Sequence, residues 1–389
     1  MKKITVLAAF FCSILAFSCQ KNDFNYYYYS PEEQEVLSQY LNLSQLPTDY
    51  SVTLPNYLLF TGNGGFTQPP MSASVELGRV LFYDKSLSKD GKIACANCHK
   101  QELAFGDDAA VSKGVFDRAG ERNSIALSSV PSFSGAYENT GNPLFWDNRA
   151  KTVQEQSRAS LGNVKEMDMS MTEVVAAVNN QTYYPILFKK AFGDDLATEE
   201  RVTAAIQSFV HALSSFQSKF DVAAQSQFDA SQQFVNFEFM DFGKFTAEEN
   251  KGKQLYQNNC ASCHTSTITA PTLHFASNGL DLNPTDEGVG GITKNALEIG
   301  TFKVPALRNV ALTAPFMHDG RFQTLEQVVD HYSSGIQTHV NLSPELKNGD
   351  GTPKKFNFSP TEKAALVIFL RTLTDEKMVA DVRFSSPFK

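Results

Sequence analysis

The pentapeptide Cys-x-x-Cys-His occurs twice in this 389-residue chain, as Cys95-Ala96-Asn97-Cys98-His99 and as Cys260-Ala261-Ser262-Cys263-His264. It is the pattern of c-type haem attachment: two thiols add across the vinyl groups of one haem, and the adjacent histidine turns in to ligate the iron. Composition alone would produce about 0.002 copies, so two copies imply two covalent haems. Zinc is the weaker reading, because zinc ribbons bring two Cys-x-x-Cys pairs close in sequence without an obligatory histidine after them. The six cysteines are these four plus Cys12 and Cys19, which leaves none for a structural disulfide.

The length predicts two domains, each able to build its own core. With 34 basic and 42 acidic residues the formal charge is −8, and no basic block is present. Nucleic acid is therefore excluded as a partner, and an acidic surface would favour a basic electron donor.

Lys2 and Lys3 precede an apolar stretch from Ile4 to Phe17, too short to span a bilayer comfortably and typical of an export signal. It ends in Leu15-Ala16-Phe17-Ser18-Cys19, followed by the polar Gln20-Lys21-Asn22-Asp23. The run resembles a bacterial lipobox. Residues 1–18 are then a lipoprotein signal peptide, Cys19 is the lipidated first residue, and residues 19–65, with the tyrosine run Tyr26 to Tyr29, are a tether carrying a short helix near Glu32–Leu41. An ordinary signal peptide with an incidental cysteine is the alternative. Either reading exports the chain to the periplasm or cell envelope, where c-type haem attachment belongs.

Val202, Ile206, Phe209, Val210, Leu213 and Phe216 form one apolar stripe after the acidic start Thr198-Glu199-Glu200, the spacing of an amphipathic helix. Ser359-Pro360-Thr361-Glu362 is a capping box with proline at the first helical position, and Leu366, Phe369, Leu370 and Leu373 follow on one face. No sustained β alternation stands out. The fold class is mostly α with little β, two haem domains packed together and long loops around the haem edges.

The two motifs share a context. Leu77-Gly78-Arg79-Val80-Leu81-Phe82 precedes the first and Lys251-Gly252-Lys253-Gln254-Leu255-Tyr256 the second. Each reads as a helix with glycine on a crowded face and an aromatic beside the haem, the mark of an internal duplication. The Gln- and Phe-rich stretch Phe228–Phe242 divides an N-terminal haem domain, 66–235, from a C-terminal one, 236–389.

Several further motifs lie in order along residues 70–375: Gly120-Glu121-Arg122-Asn123, Phe145-Trp146-Asp147-Asn148-Arg149-Ala150, Asn163-Val164-Lys165-Glu166-Met167, and the long run from Phe302 to Gly320. With the two attachment sites, they make the chain resemble the bacterial di-haem cytochrome c peroxidases, and within them the MauG-like branch. The resemblance implies two cytochrome c-like domains. It also implies an N-terminal haem that meets peroxide and a C-terminal haem that passes or stores electrons.

For the first haem, the resemblance makes His99 the proximal ligand. Members of the family that close the other face do so with a histidine from the following loop, at a place that falls near Val115-Phe116. No histidine lies between His99 and His211, so that face is expected to stay open to peroxide. His211, the nearest rival, sits on the core-like stripe. Glu166 matches the family's glutamate that moves the peroxide proton, and Gln156 the glutamine that helps hold peroxide. Asn163-Val164 replaces the family's Asn-Pro, which alters the loop beside Glu166.

For the second haem, His264 is the expected proximal ligand. Tyr332 stands where the peroxidases carry a methionine, as in the MauG-like branch. A phenolate oxygen is hard and anionic and favours the higher-charged iron, whereas a thioether raises the potential. His331 is the runner-up, and Met317, His274 and His339 are nearby in sequence. His318 matches a hydrogen-bonding histidine at the interface between halves. Trp146, the only tryptophan, matches the indole lying between the haems. The resemblance further implies one calcium ion held by the Asn123 side-chain oxygen and the carbonyls of Thr313 and Pro315, a ligand set that suits calcium.

The expected activity is reduction of hydrogen peroxide to water with electrons from a small cytochrome or cupredoxin, at the membrane through the anchor on Cys19. A homodimer is compatible with it. The alternatives are a MauG-like oxidase that modifies side chains of a partner protein, and a non-enzymatic di-haem electron carrier.

Overall fold

A glycine at position 78 and another at position 252 set the architecture. In the computed structural model, which describes residues 28–51, 54–59, 71–128, 143–228, 235, 237, 240–268 and 271–389, Gly78 lies on the Ser72–Tyr83 helix where it crosses the Glu199–Ala212 helix. A Cβ on Gly78 would stand 1.9 Å from the carbonyl oxygen of Ala205. The second half repeats the crossing: Gly252, on Ala247–Asn259, would place a Cβ 2.0 Å from the carbonyl oxygen of Ala365, on Pro360–Arg371. The neighbouring aromatics repeat as well. Phe82 packs on Phe209 and Tyr256 on Phe369, each with ring centroids 5.1 Å apart. Only glycine lets two helix backbones approach so closely.

The obstacle at each crossing is backbone, which cannot rotate away. Gly252→Ala is therefore expected to destabilise the second domain by about 3 kcal/mol, the upper end of the usual overpacking range. Thermal unfolding of the haem-loaded protein checks this, and a variant with unchanged Tm would mean the helices separate freely.

The helices start where side chains can cap them. Thr198 and Ser359 each accept a hydrogen bond from the backbone N–H three residues on, and Glu362 completes the box on Ser359. The Val202 stripe buries Val202, Ile206, Phe209, Val210 and Leu213 in the first core. Phe216, read from the sequence as part of that stripe, lies beyond the helix end at Ala212 and packs in the second core with Phe220, Phe242 and Phe369.

The division of the chain differs from the one read in the sequence. Residues 28–51 fell within the expected tether. The short helix expected near Glu32–Leu41 forms at Pro31–Tyr40, but it packs Leu37 into the first core with Tyr29, Leu41 and Tyr50, and the Tyr29 hydroxyl donates to the buried Glu76 carboxylate. Tyr57 belongs to the second core and donates to Asp221 Oδ1 at 2.6 Å. The second core also takes Phe216, Phe220, Ala223 and Ala224, so it begins before residue 236. The C-terminal residues return to the first: Met378 and Phe384 are part of its core, and Arg79 Nε donates to the Ser385 carbonyl at 2.6 Å. Local polarity concealed this exchange, because the apolar residues involved are too scattered to give a periodic signal.

Two-residue strands, Phe275–Ala276 and Phe302–Lys303, pair antiparallel. They are the one sheet among the described residues. No helix there is long and apolar enough to cross a membrane. The export signal and Cys19 lie outside the described residues.

Candidate functional site

Each Cys-x-x-Cys-His motif forms a single helical turn closed by its histidine. The N–H of His99 donates to the Cys95 carbonyl and that of His264 to the Cys260 carbonyl, both at 3.0 Å. The imidazoles are then held in the same way. His99 Nδ1 bonds the Phe105 carbonyl at 2.9 Å, and His264 Nδ1 bonds the Pro305 carbonyl at 3.1 Å. A ring that donates from Nδ1 presents Nε2 as its free ligand atom. Burial lowers both imidazole pKa values, that of His264 to about 4, which keeps the rings neutral as ligation requires.

Cys95, Cys98 and His99 line a cavity of about 520 Å³. Its walls include Phe82, Leu127, Val153, Ile206 and Val210 from the first core. Cys260, Cys263 and His264 line a second cavity of about 250 Å³, walled by Tyr256, Leu325, Val329, Leu366 and Leu370. Two thiols and a neutral, oriented imidazole at the wall of an apolar cavity are the donor set that a covalent haem needs, and each half has one.

The cavities differ in what else they contain. The first is lined by the carboxylates of Glu121, Asp147 and Glu166 and by amides, whereas no Asp or Glu lines the second. Glu166 and Gln156 both line the first. The backbone N–H of Val115 bonds the Glu166 carbonyl at 2.8 Å and the Glu166 N–H bonds the Asn163 carbonyl at 2.9 Å. Gly114 lies beneath this turn, where a Cβ would stand 2.3 Å from the Lys165 carbonyl. Asn163 Nδ2 donates to Glu166 Oε1 at 2.7 Å, and burial raises the carboxyl pKa against these hydrogen bonds. His99 is the only histidine on this wall; His211 is not on it. Phe116, at the place of the family's loop histidine, is 54% exposed.

The second cavity is lined by Tyr332 and Met317. Tyr332 is partly buried against Ile336, Leu342 and Leu346, and burial pushes its phenol up to about 12. His331 points elsewhere, with Nε2 bonded to the Asn278 carbonyl at 3.0 Å. His339 bonds Ser277 Oγ through Nδ1 at 3.3 Å, and neither His339 nor His274 lines the cavity. Met317 Sδ receives Asn278 Nδ2 at 3.4 Å. His318 does line the cavity, stacked on Phe302 with centroids 3.8 Å apart.

Trp146 lines both cavities and is tied to both halves. Its indole N–H donates to the Asn123 carbonyl at 2.8 Å, and its own carbonyl accepts from the Lys303 N–H at 2.8 Å. Lys303 also lines both cavities; burial lowers its pKa to about 8, and Nζ donates to the Pro143 carbonyl at 2.8 Å. Arg122 clamps the same junction, with Nε and Nη2 on Asp286 at 2.7 and 2.8 Å and Nη1 on Asp147 at 2.5 Å. Asn123, Thr313 and Pro315 all line the second cavity, and Asn123 Nδ2 donates to the Ala109 carbonyl at 3.2 Å, leaving its side-chain oxygen as an acceptor. Among the described residues no cluster of three His, Cys, Asp or Glu could hold a metal, so a cation here would rely on neutral oxygens.

Sequence reading missed Ser160, Lys303 and the Arg122–Asp286 pair. Ser160 stands four residues after Gln156 on the Val153–Gly162 helix, a spacing that puts both on one face. Nothing local marks Lys303 or Asp286.

Together, fold and cavities define a c-type cytochrome with two haem domains, one of whose cavities carries a carboxylate. The sequence profile described as di-haem cytochrome c peroxidase matches residues 72–229, and that of cytochrome c matches residues 249–374. A cytochrome c551 peroxidase of Nitrosomonas europaea is 30% identical over 79% of this chain and 82% of its own. The methylamine utilization protein MauG of Methylorubrum extorquens is 31% identical over 79% of this chain and 80% of its own. A crystal structure of a MauG-like protein associated with microbial copper homeostasis superposes with a TM-score of 0.67 at 29% identity, over 87% of this chain and 98% of that one. The chain belongs to the di-haem cytochrome c peroxidase and MauG family. It is an oxidoreductase of the haem-peroxidase type, built to carry two c-type haems.

Proposed function

We propose that the protein reduces hydrogen peroxide at the first cavity and receives electrons through the second. The observation that carries the reading is the asymmetry of the cavities: Glu166 and Gln156 stand on a wall whose only histidine is His99, while Tyr332 lines the second cavity together with Cys260, Cys263 and His264. His99 and His264 would hold the two irons from one side, with Cys95, Cys98, Cys260 and Cys263 as the covalent anchors. When bound, the haems supply the centres through which two electrons reach peroxide, so that H2O2, two electrons and two protons give two molecules of water.

The protein's part is positioning and proton movement. Gln156 offers an amide to hold peroxide. The Glu166 carboxylate takes a proton from one peroxide oxygen and delivers it to the other, the usual work of a positioned general base. Trp146, lining both cavities, offers an indole for electron hops. Tyr332 would be the second iron's oxygen ligand, and Asn123, Thr313 and Pro315 would hold calcium at the junction between halves. Export to the periplasm, a lipid anchor on Cys19, a small cytochrome or cupredoxin as donor, and a homodimer complete the reading.

Tyr332 also favours a second reading. A phenol oxygen at the second iron suits storage of an oxidising equivalent, as an oxidase of partner-protein side chains would need. Trapping a peroxide-dependent crosslink or hydroxylation on a partner would select it. Electron paramagnetic resonance of the resting ferric protein tests the common basis of both: one high-spin and one low-spin signal are expected, and two low-spin signals unchanged by peroxide would leave only an electron carrier.

A further inference from the structure

Four cationic side chains line the first cavity, and three of them are paired with carboxylates. Arg122 is on Asp147 and Asp286, Arg149 on Asp147, and Lys165 on Glu121. The fourth, Lys303, makes no ion pair with any described residue. It is only 5% exposed. Of its three N–H donors one is used, on the Pro143 carbonyl at 2.8 Å. An ammonium buried beside a single neutral oxygen is unfavourable unless an anion joins it. Burial with no counter-charge is also what lowers its pKa to about 8.

Lys303 comes from the other half of the molecule. It stands on the Phe302–Lys303 strand, and its backbone N–H is pinned to the Trp146 carbonyl at 2.8 Å. Successive side chains of a strand point to opposite faces, and here the two faces serve different cavities. Phe302 and Val304 line the second cavity and not the first. Lys303, between them, is the one described residue after Val210 on the wall of the first. Its ammonium ends at Pro143, which directly precedes Leu144, Phe145 and Trp146, all on that wall.

A c-type haem brings two propionate carboxylates, and a carboxylate at a buried edge needs the counter-charge that this ammonium can supply. We propose that Lys303 is a haem-binding residue that the second domain provides to the first: its ammonium hydrogen-bonds a propionate carboxylate of the haem attached to Cys95 and Cys98. The two remaining N–H donors match the two oxygens of one carboxylate. Hydrogen bonds between charged partners are roughly twice as strong as neutral ones, so the contact ties the edge of the first haem to a strand of the second domain. Arg308, the other cation on the wall of the second cavity, is already paired with Asp221 at 2.8 Å. The inference needs only that two haems are carried, and it is independent of the peroxide chemistry assigned to Glu166.

Spectroelectrochemical titration of the haem-loaded protein at neutral pH reads the midpoint potential of each haem. A cation beside a propionate favours the ferrous state, because reduction adds negative charge to the haem. Lys303→Met, which keeps the side-chain length and the backbone bond to Trp146, is expected to lower the potential of the His99 haem and to move that of the His264 haem less. Lys303→Arg, which keeps the charge, should bring the potential back up. A fall confined to the His264 haem would assign the ammonium to that haem's propionate and overturn the contact between domains. Potentials unchanged at both haems overturn the carboxylate contact altogether. A crystal structure of the haem-loaded wild type requires no variant to fold: Nζ within hydrogen-bond distance of a propionate oxygen of the first haem is the expected result, and Nζ bonded to the Pro143 carbonyl alone overturns the proposal.

Discussion

Glu166→Gln is expected to lower kcat/KM for hydrogen peroxide by roughly 10²- to 10⁴-fold, the usual contribution of a positioned acid–base group. The substitution is nearly isosteric. A glutamine oxygen still accepts from Asn163 Nδ2, as Glu166 Oε1 does at 2.7 Å, so the loop keeps its shape and only the proton acceptor is lost. The pH dependence gives a second readout. The carboxyl can accept a proton only when ionised, and burial raises its pKa. The wild-type rate should therefore fall as pH drops through a value above the ordinary carboxylate range, and the variant should lose that limb. Stopped-flow kinetics measure both. A variant that keeps the full rate and the acid limb takes the proton step away from Glu166.

Tyr332→Phe is expected to change the second haem and leave the first alone. The phenol oxygen is the only part removed, and the ring continues to fill the cavity wall beside Ile336 and Leu346. Without a hard anionic ligand the higher-charged iron loses stabilisation. The low-spin ferric signal of that haem should disappear, and its midpoint potential should rise by roughly 0.2 V, a quarter of the ~0.8 V range over which axial ligands act. Unchanged spectra and potential would exclude Tyr332 and turn attention to Met317 and His318, which also line that cavity.

Much of the chemistry is legible in short segments because its causes are local. Attachment needs two thiols and a histidine within five residues. The capping box at Ser359 needs four. The repeated Gly-x-x-x-aromatic at 78–82 and 252–256 exposes the duplication, because each domain must let one helix backbone press on another. The tether was misjudged for the opposite reason. Tyr29, Leu37, Tyr50 and Tyr57 gain their burial from Glu76, Asp221 and the chain's far end, and no window of sequence around residues 28–58 contains those partners. The domain limits failed likewise at Phe216 and at Met378.

The linear order of residues alone determined that the chain carries two haem-attachment turns, builds them on helices, and has no histidine between His99 and His211 to cover the first. These follow from covalent chemistry and from helix periodicity, both of which act over a few residues. Only the tertiary structure decided that Tyr332 lines the second cavity while the His331 imidazole bonds the Asn278 carbonyl, and that Trp146 and Lys303 border both cavities. Those facts depend on packing between segments tens to hundreds of residues apart, where a rotation of one position on a helix exchanges a ligand for a bystander.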